Sequence, residues 1–228
     1  MDDDKKAKRV IDTLTGPWEK RNLPKMAEAL PGWITSDHLT FLGIIAAFVI
    51  GVGYVLTRFS TWWLWLSNFG LVVHWYGDSL DGTLARVRHR EREKYGYFVD
   101  HISDAWAILI ICLGMGASPL MDMRVALFLV IGYFLLNIYV HIMAYTSGIF
   151  RISYGRLGPT EVRMFIFAIN IVLIFWNPRV VSFRGAPITA LDLAGLALGV
   201  LFVIIFVISS IRDAIKLDRL DRVRWEDK

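Results

Sequence analysis

Cysteine is all but missing from this chain: Cys112 is the only one among 228 residues, and it lies inside an apolar run. Neither a disulfide framework nor a thiolate-based zinc cluster can be built from it. Proline is sparse, and Pro119, Pro159, Pro178 and Pro187 all fall between apolar stretches, where helices end. Tandem repeats, low-complexity tracts and a linker to a second domain are absent too, so one compact domain is expected. A charged leader precedes the first apolar stretch, which begins near Leu39. A cleaved secretory signal carries its apolar region much nearer the start and is not expected.

Apolar surface is abundant. Hydrophobic residues make up 55% of the chain and the mean hydropathy is +0.48, too apolar for an ordinary soluble domain. Six stretches approach the roughly 20 residues that a helix needs to cross a bilayer core. They are residues 39–57, 61–87, 96–117, 123–148, 160–177 and 190–211. The third has the weakest hydropathy, because its first turns carry Asp100, His101 and Asp104. The expected fold is an all-α integral membrane protein with six transmembrane helices and an N-terminal cytoplasmic interfacial helix. Residues 1–38 form the leader, 39–213 the six-helix domain and 214–228 a charged cytoplasmic tail. Within the leader, Leu23, Met26, Ala27 and Leu30 follow helical spacing among Lys20, Arg21, Lys25 and Glu28, with Trp33 after them. That is the pattern of a short helix lying on a membrane surface. An irregular solvated leader is the alternative, and Pro17, Pro24 and Pro31 limit helix length in either case.

Positive charge is scarce on one side of the expected membrane. Of 25 lysines and arginines, only Arg58, Arg124, Arg179 and Arg184 fall in or beside the first, third and fifth connections. The leader, the second and fourth connections and the tail hold the rest, so both termini are expected in the cytoplasm of an inner membrane or its equivalent. Trp62, Trp63 and Trp65, at the opposite end of the second helix, fit an interfacial aromatic belt.

Against this background stand four aspartates, Asp78, Asp81, Asp100 and Asp104. Carboxylates at membrane depth are costly and mark functional sites. Spacings of three and four residues put each pair on one helix face. Four converging carboxylates repel one another unless a cation sits among them, and hard oxygen ligands suit magnesium, manganese or calcium rather than zinc. Two such ions can bridge a diphosphate. Gly82 and Ala85 leave room for a ligand beside Asp81, Arg86 can pair with phosphate, and Gly96 opens the third helix with the same lack of bulk.

The pattern D-x-x-D-G-x-x-A-R, nine residues, then G-x-x-x-D-x-x-x-D resembles the signature of the CDP-alcohol phosphotransferase family. Every fixed position is present. The resemblance implies an enzyme in which a hydroxyl acceptor attacks the distal phosphorus of a CDP-linked donor and CMP leaves as a phosphodiester lipid forms. It implies Asp78, Asp81 and Asp100 as ligands of two divalent ions, Mg2+ or Mn2+. Asp104 would be the general base, also touching the second ion. Gly82, Ala85, Arg86 and Gly96 would frame the CDP moiety. Asp37 and Thr40, in the run Trp33-Ile-Thr-Ser-Asp37-His38-Leu-Thr40, stand where the family has P-N-x-x-T, with Ser36-Asp37 replacing Pro-Asn. An ordinary helix cap by Ser36 or Asp37 is the alternative there.

Signals for the acceptor are weaker. Tyr133, Asn137, His141 and Tyr145 recur every four residues, a stripe that either hydrogen-bonds between helices or lines an acceptor pocket. His74, one turn before Asp78, is either a neighbour of the metal ligands or simply packed. Glu161 and Arg163, in Gly158-Pro159-Thr160-Glu161-Val162-Arg163, are either helix-start residues or substrate contacts. Arg151, Arg156 and the basic run from Arg88 to Lys94 either set topology or attract phosphates. The expected function is phospholipid synthesis with CDP-diacylglycerol as the favoured donor. A CDP-choline or CDP-ethanolamine phosphotransferase acting on a lipid alcohol is the alternative, favoured by the Gly-Pro-Thr-Glu run. A small ion transporter stands third. One substrate is a lipid, no nucleic-acid partner is expected, and relatives suggest a homodimer.

Overall fold

The protein is described by a computed structural model that covers residues 8–10, 14–147, 149–151, 158–176, 179–183 and 186–226. Lys5, Lys6, Gly148, Arg156, Asn177, Pro178, Arg184 and Lys228 lie outside the described residues. Helix α1 (Gly16–Glu28) carries Pro17 in its first turn and accommodates Pro24. Helices α2 (Ser36–Leu56), α3 (Leu64–Val87), α4 (Glu93–Gly116), α5 (Met123–Ser147), α6 (Pro159–Phe175) and α7 (Ala190–Glu226) follow. A 3₁₀ turn, Thr61–Trp63, leads into α3. Two short ribbons carry no signal in the apolar pattern. Strand β1 (Lys8–Val10) pairs in parallel with β2 (Ile149–Arg151), and β3 (Arg179–Phe183) pairs antiparallel with β4 (Ala186–Thr189).

Among the described residues, four helices, α2, α4, α5 and α7, are long and apolar enough to cross a membrane. The weak hydropathy expected of the third stretch does not disqualify α4. The shortfall falls instead on α3, which carries Asp78, Asp81 and Arg86, and on α6, which has only 17 residues. Most of the charged tail is helical, since α7 runs unbroken to Glu226 over 37 residues. At 1.5 Å per residue that is roughly 55 Å, well beyond a hydrocarbon core.

The start of α2 differs from both residues expected to cap it. Thr35 is the N-cap: its hydroxyl accepts from His38 N, and His38 Nδ1 accepts from Thr35 N at 3.1 Å. Ser36 and Asp37 are thereby released for other partners.

Apolar packing among the described residues falls into two clusters. The larger joins Ala47, Ile50 and Tyr54 of α2 to Leu64 and Leu71 of α3, Ala107 and Ile111 of α4, and Leu173 of α6. The smaller joins Leu23 and Ala27 of α1 to Leu39, Leu80 and Leu84. The apolar stripe of α1 therefore packs on α2 and α3 rather than on lipid, while Trp18 and Trp33 stay exposed. Helix α2 approaches α3 very closely: a Cβ on Gly77 would lie 2.6 Å from Leu39 O and 3.0 Å from Gly43 N. Small residues permit such contact between membrane helices. A buried polar chain also crosses the larger cluster, from Tyr54 Oη to Asn170 Oδ1 (2.7 Å) and from Asn170 Nδ2 to Asn68 Oδ1 (2.8 Å).

Candidate active site

Helix α2 packs against both α3 and α4 and so sets the two aspartate-bearing helices beside each other. Asp78 of α3 meets Asp100 and Asp104 of α4, and an oxygen from each lies within 4.8 Å of the other two. Asp81 is not in that triad. One of its oxygens accepts from Thr40 Oγ1 at 2.7 Å and the other from the Gly82 amide. Ser36 Oγ donates to Asp81 O at 2.8 Å, so the first turn of α2 holds both the backbone and the side chain of this residue. Asp81 nevertheless lines the same cavity as Asp78 and Asp104, together with Thr40, Gly43, Ile44, His74 and Ser103.

Arg163 of α6 enters the cluster, its Nη2 lying 2.6 Å from Asp78 Oδ2 with both side chains largely buried. Against three carboxylates it supplies one positive charge. A hard divalent cation would balance the remainder, and three anionic oxygens at this spacing are the donor set such an ion takes. The residues present thus fit a divalent ion at Asp78, Asp100 and Asp104, with Asp81 at its edge.

On α3 and α4 the small residues divide by role. Gly77 is filled by α2, whereas a Cβ on Gly82 would meet only the Arg86 guanidinium, at 3.4 Å, and one on Gly96 would meet nothing within 4 Å. Space is open beside both, as a ligand framed by Gly82, Ala85, Arg86 and Gly96 requires. Arg86 donates to Thr83 Oγ1 at 3.0 Å and is exposed. Asp37 pairs with the Arg92 side chain, and Arg88 donates to the carbonyls of Leu30, Pro31, Gly32 and Ile34. Two members of the basic run are therefore structural ties, Arg88 to the connection before α2 and Arg92 to its first turn.

The acceptor candidates separate. Glu161 serves helix starts: Oε1 accepts from Thr15 N and Oγ1, and Oε2 accepts from Gly158 N at 2.8 Å. Its reading as a substrate contact gives way to the capping one, because both oxygens are occupied. The stripe on α5 does not face one way. His141 Nδ1 lies 2.8 Å from the Tyr97 hydroxyl, whereas Tyr145 is 93% exposed. His101, whose Nδ1 is 3.4 Å from Asp100 Oδ2, meets His141 in a tilted contact at 4.7 Å between ring centroids. Ser103 has no signal in the sequence beyond its position between two motif aspartates, whereas Ser36, expected as a helix cap or in place of the family's proline, instead holds the Asp81 backbone.

The sequence matches the CDP-alcohol phosphatidyltransferase family over residues 33–211, a segment that contains every residue of the cluster. The chain belongs to that family. It is accordingly a transferase of phosphate groups, acting between a CDP-alcohol and an alcohol, in a family that makes phospholipids and uses divalent metal ions. Comparison with individual curated proteins gives no match.

Proposed function

We propose that this family member synthesises a phospholipid by transferring a substituted phosphate from CDP-diacylglycerol to a small polar alcohol, with release of CMP. The observation that carries the reading is the convergence of Asp78, Asp100 and Asp104 to within 4.8 Å. Asp78, Asp81, Asp100 and Asp104 would hold two Mg2+ or Mn2+ ions. Bound there, such ions neutralise the diphosphate and the charge that develops as its phosphorus–oxygen bond breaks.

The remaining steps belong to the chain itself. Gly82, Ala85, Arg86 and Gly96 frame the CDP moiety, with Asp37 and Arg92 at the rim. Thr40 fixes the Asp81 carboxylate, and Arg163 offsets part of the negative charge. Asp104 takes the proton of the acceptor hydroxyl as its oxygen bonds to the phosphorus distal to cytidine. The bond from that phosphorus to the bridging oxygen breaks, and this oxygen leaves with its electron pair as part of CMP. Asn137 and His141 are assigned to the acceptor side. In this reading all six long helices span the membrane, α1 lies at the cytoplasmic surface with Trp18 and Trp33 toward lipid, and the site opens to soluble nucleotides. Residues 39–213 are the catalytic domain and 214–228 its charged cytoplasmic extension.

The Gly-Pro-Thr-Glu run, which favours a CDP-amino-alcohol donor, is accounted for by the capping of α6 and α1. That leaves CDP-diacylglycerol ahead. The test is CMP release by purified protein, first with radiolabelled CDP-diacylglycerol and glycerol 3-phosphate, serine or inositol 1-phosphate, then with CDP-ethanolamine and diacylglycerol. Release with the first donor is expected. Release with the second alone would reverse the donor assignment.

A further inference from the structure

The polar side chains around the catalytic cavity are nearly all committed. Thr40 donates to Asp81, Ser103 Oγ donates to Asp100 O at 2.8 Å, and Asp78 is held by Arg163. The exceptions among the described residues are Asp104 and His74, which line the cavity from α4 and α3. His74 is 6% exposed, yet its Nδ1 has no hydrogen-bond partner among the described residues. Buried polar nitrogens are nearly always paired, and leaving one unpaired is costly. On a side chain that lines a cavity, such a nitrogen marks a place for a group that arrives with a ligand.

That group is not the ion of the aspartate triad, since the atoms converging within 4.8 Å are those of Asp78, Asp100 and Asp104 and do not include a His74 nitrogen. A hydroxyl fits best. It can donate to the Asp104 carboxylate and accept from an imidazole N–H at once, which a deprotonated phosphate oxygen cannot do. Gly43, on the adjoining wall, leaves room, because a Cβ there would meet only Asp78 N at 3.9 Å.

We propose that His74 is an acceptor-binding residue whose imidazole holds the reacting hydroxyl against Asp104. This rests on the transferase reading above. The test uses full-length wild type, His74→Ala and His74→Gln in lipid nanodiscs. Initial rates of CMP release are measured with CDP-diacylglycerol against glycerol 3-phosphate, serine and inositol 1-phosphate, and with CDP-ethanolamine against diacylglycerol. Mn2+ affinity is measured by calorimetry without substrate. For the pair that wild type turns over, His74→Ala should raise the KM of the alcohol roughly tenfold, the loss of one hydrogen bond. His74→Gln should restore part of it. The KM of the nucleotide donor and the Mn2+ affinity should not move. Should the alanine variant fail to fold, the glutamine variant carries the comparison with a smaller rise in the same KM. An unchanged alcohol KM in an active variant overturns the proposal, as does a parallel fall in Mn2+ affinity, which would make the imidazole a metal ligand. Wild-type protein that releases CMP from no pair removes the transferase reading itself, and this proposal with it.

Discussion

Thr40 joins two helices through one hydroxyl, which donates to Asp81 Oδ2 at 2.7 Å while lying 3.1 Å from Ser36 O. It orients a carboxylate without belonging to the aspartate motif. Groups that hold metal-binding carboxylates typically matter by roughly 10–100-fold in metal affinity or activity. Thr40→Val, which keeps the shape and removes the hydroxyl, should therefore slow CMP release by about that factor and weaken Mn2+ binding in a calorimetric titration. Asp104 carries a different expectation. With Asp104 as the proposed proton acceptor in the chemical step, Asp104→Asn should cut the turnover number by roughly 10²–10⁴-fold while the labelled CDP donor still binds. Unchanged turnover would remove the base assignment. At this scale the motif aspartates were legible because they violate the apolar pattern around them. Arg163 on Asp78 was not, because the partners are 85 residues apart and the same Thr-x-x-Arg spacing also begins an ordinary helix.

At the scale of the helices, α3 is positioned by what it lacks. Gly77 precedes Asp78 and lets the α2 backbone approach closely. A Gly77→Leu side chain would force α3 off α2 and carry Asp78 and Asp81 with it. We expect destabilisation of about 1–3 kcal/mol or more from overpacking, read as a lower thermal midpoint, together with lost CMP release. Gly82→Ala should leave the thermal midpoint nearly unchanged, since its Cβ would meet only the far end of the Arg86 side chain, at an ordinary contact distance of 3.4 Å. The positions of the long helices could be read from apolar runs and from the prolines between them. Their ends could not. Thr35 rather than Ser36 caps α2 because His38 returns a bond to the Thr35 amide, and α4 begins at Glu93, three residues before the glycine taken as its start. The Tyr54–Asn170–Asn68 chain also escaped sequence reading, since each residue alone looks like an isolated polar intrusion. Only the packing of α2, α3 and α6 brings the three together.

For the whole molecule, the buried and solitary Cys112 makes topology directly measurable. Single cysteines introduced as Phe59→Cys, in the turn between α2 and α3, and Lys216→Cys, on the extension of α7, report on opposite ends. A membrane-impermeant maleimide should label the first in intact spheroplasts and the second only after permeabilisation. The reverse would invert the orientation inferred from the lysine and arginine distribution. The central claim is that the aspartates form a metal-dependent phosphotransfer site, and chelation tests it most directly. Wild-type protein in nanodiscs is stripped with EDTA, assayed for CMP release from CDP-diacylglycerol, and titrated back with Mg2+ or Mn2+, beside Asp78→Asn and Asp100→Asn. Activity should vanish on stripping and return with added ion in the wild type, and in neither variant should ion restore it. Full CMP release from the stripped wild-type protein would contradict the account.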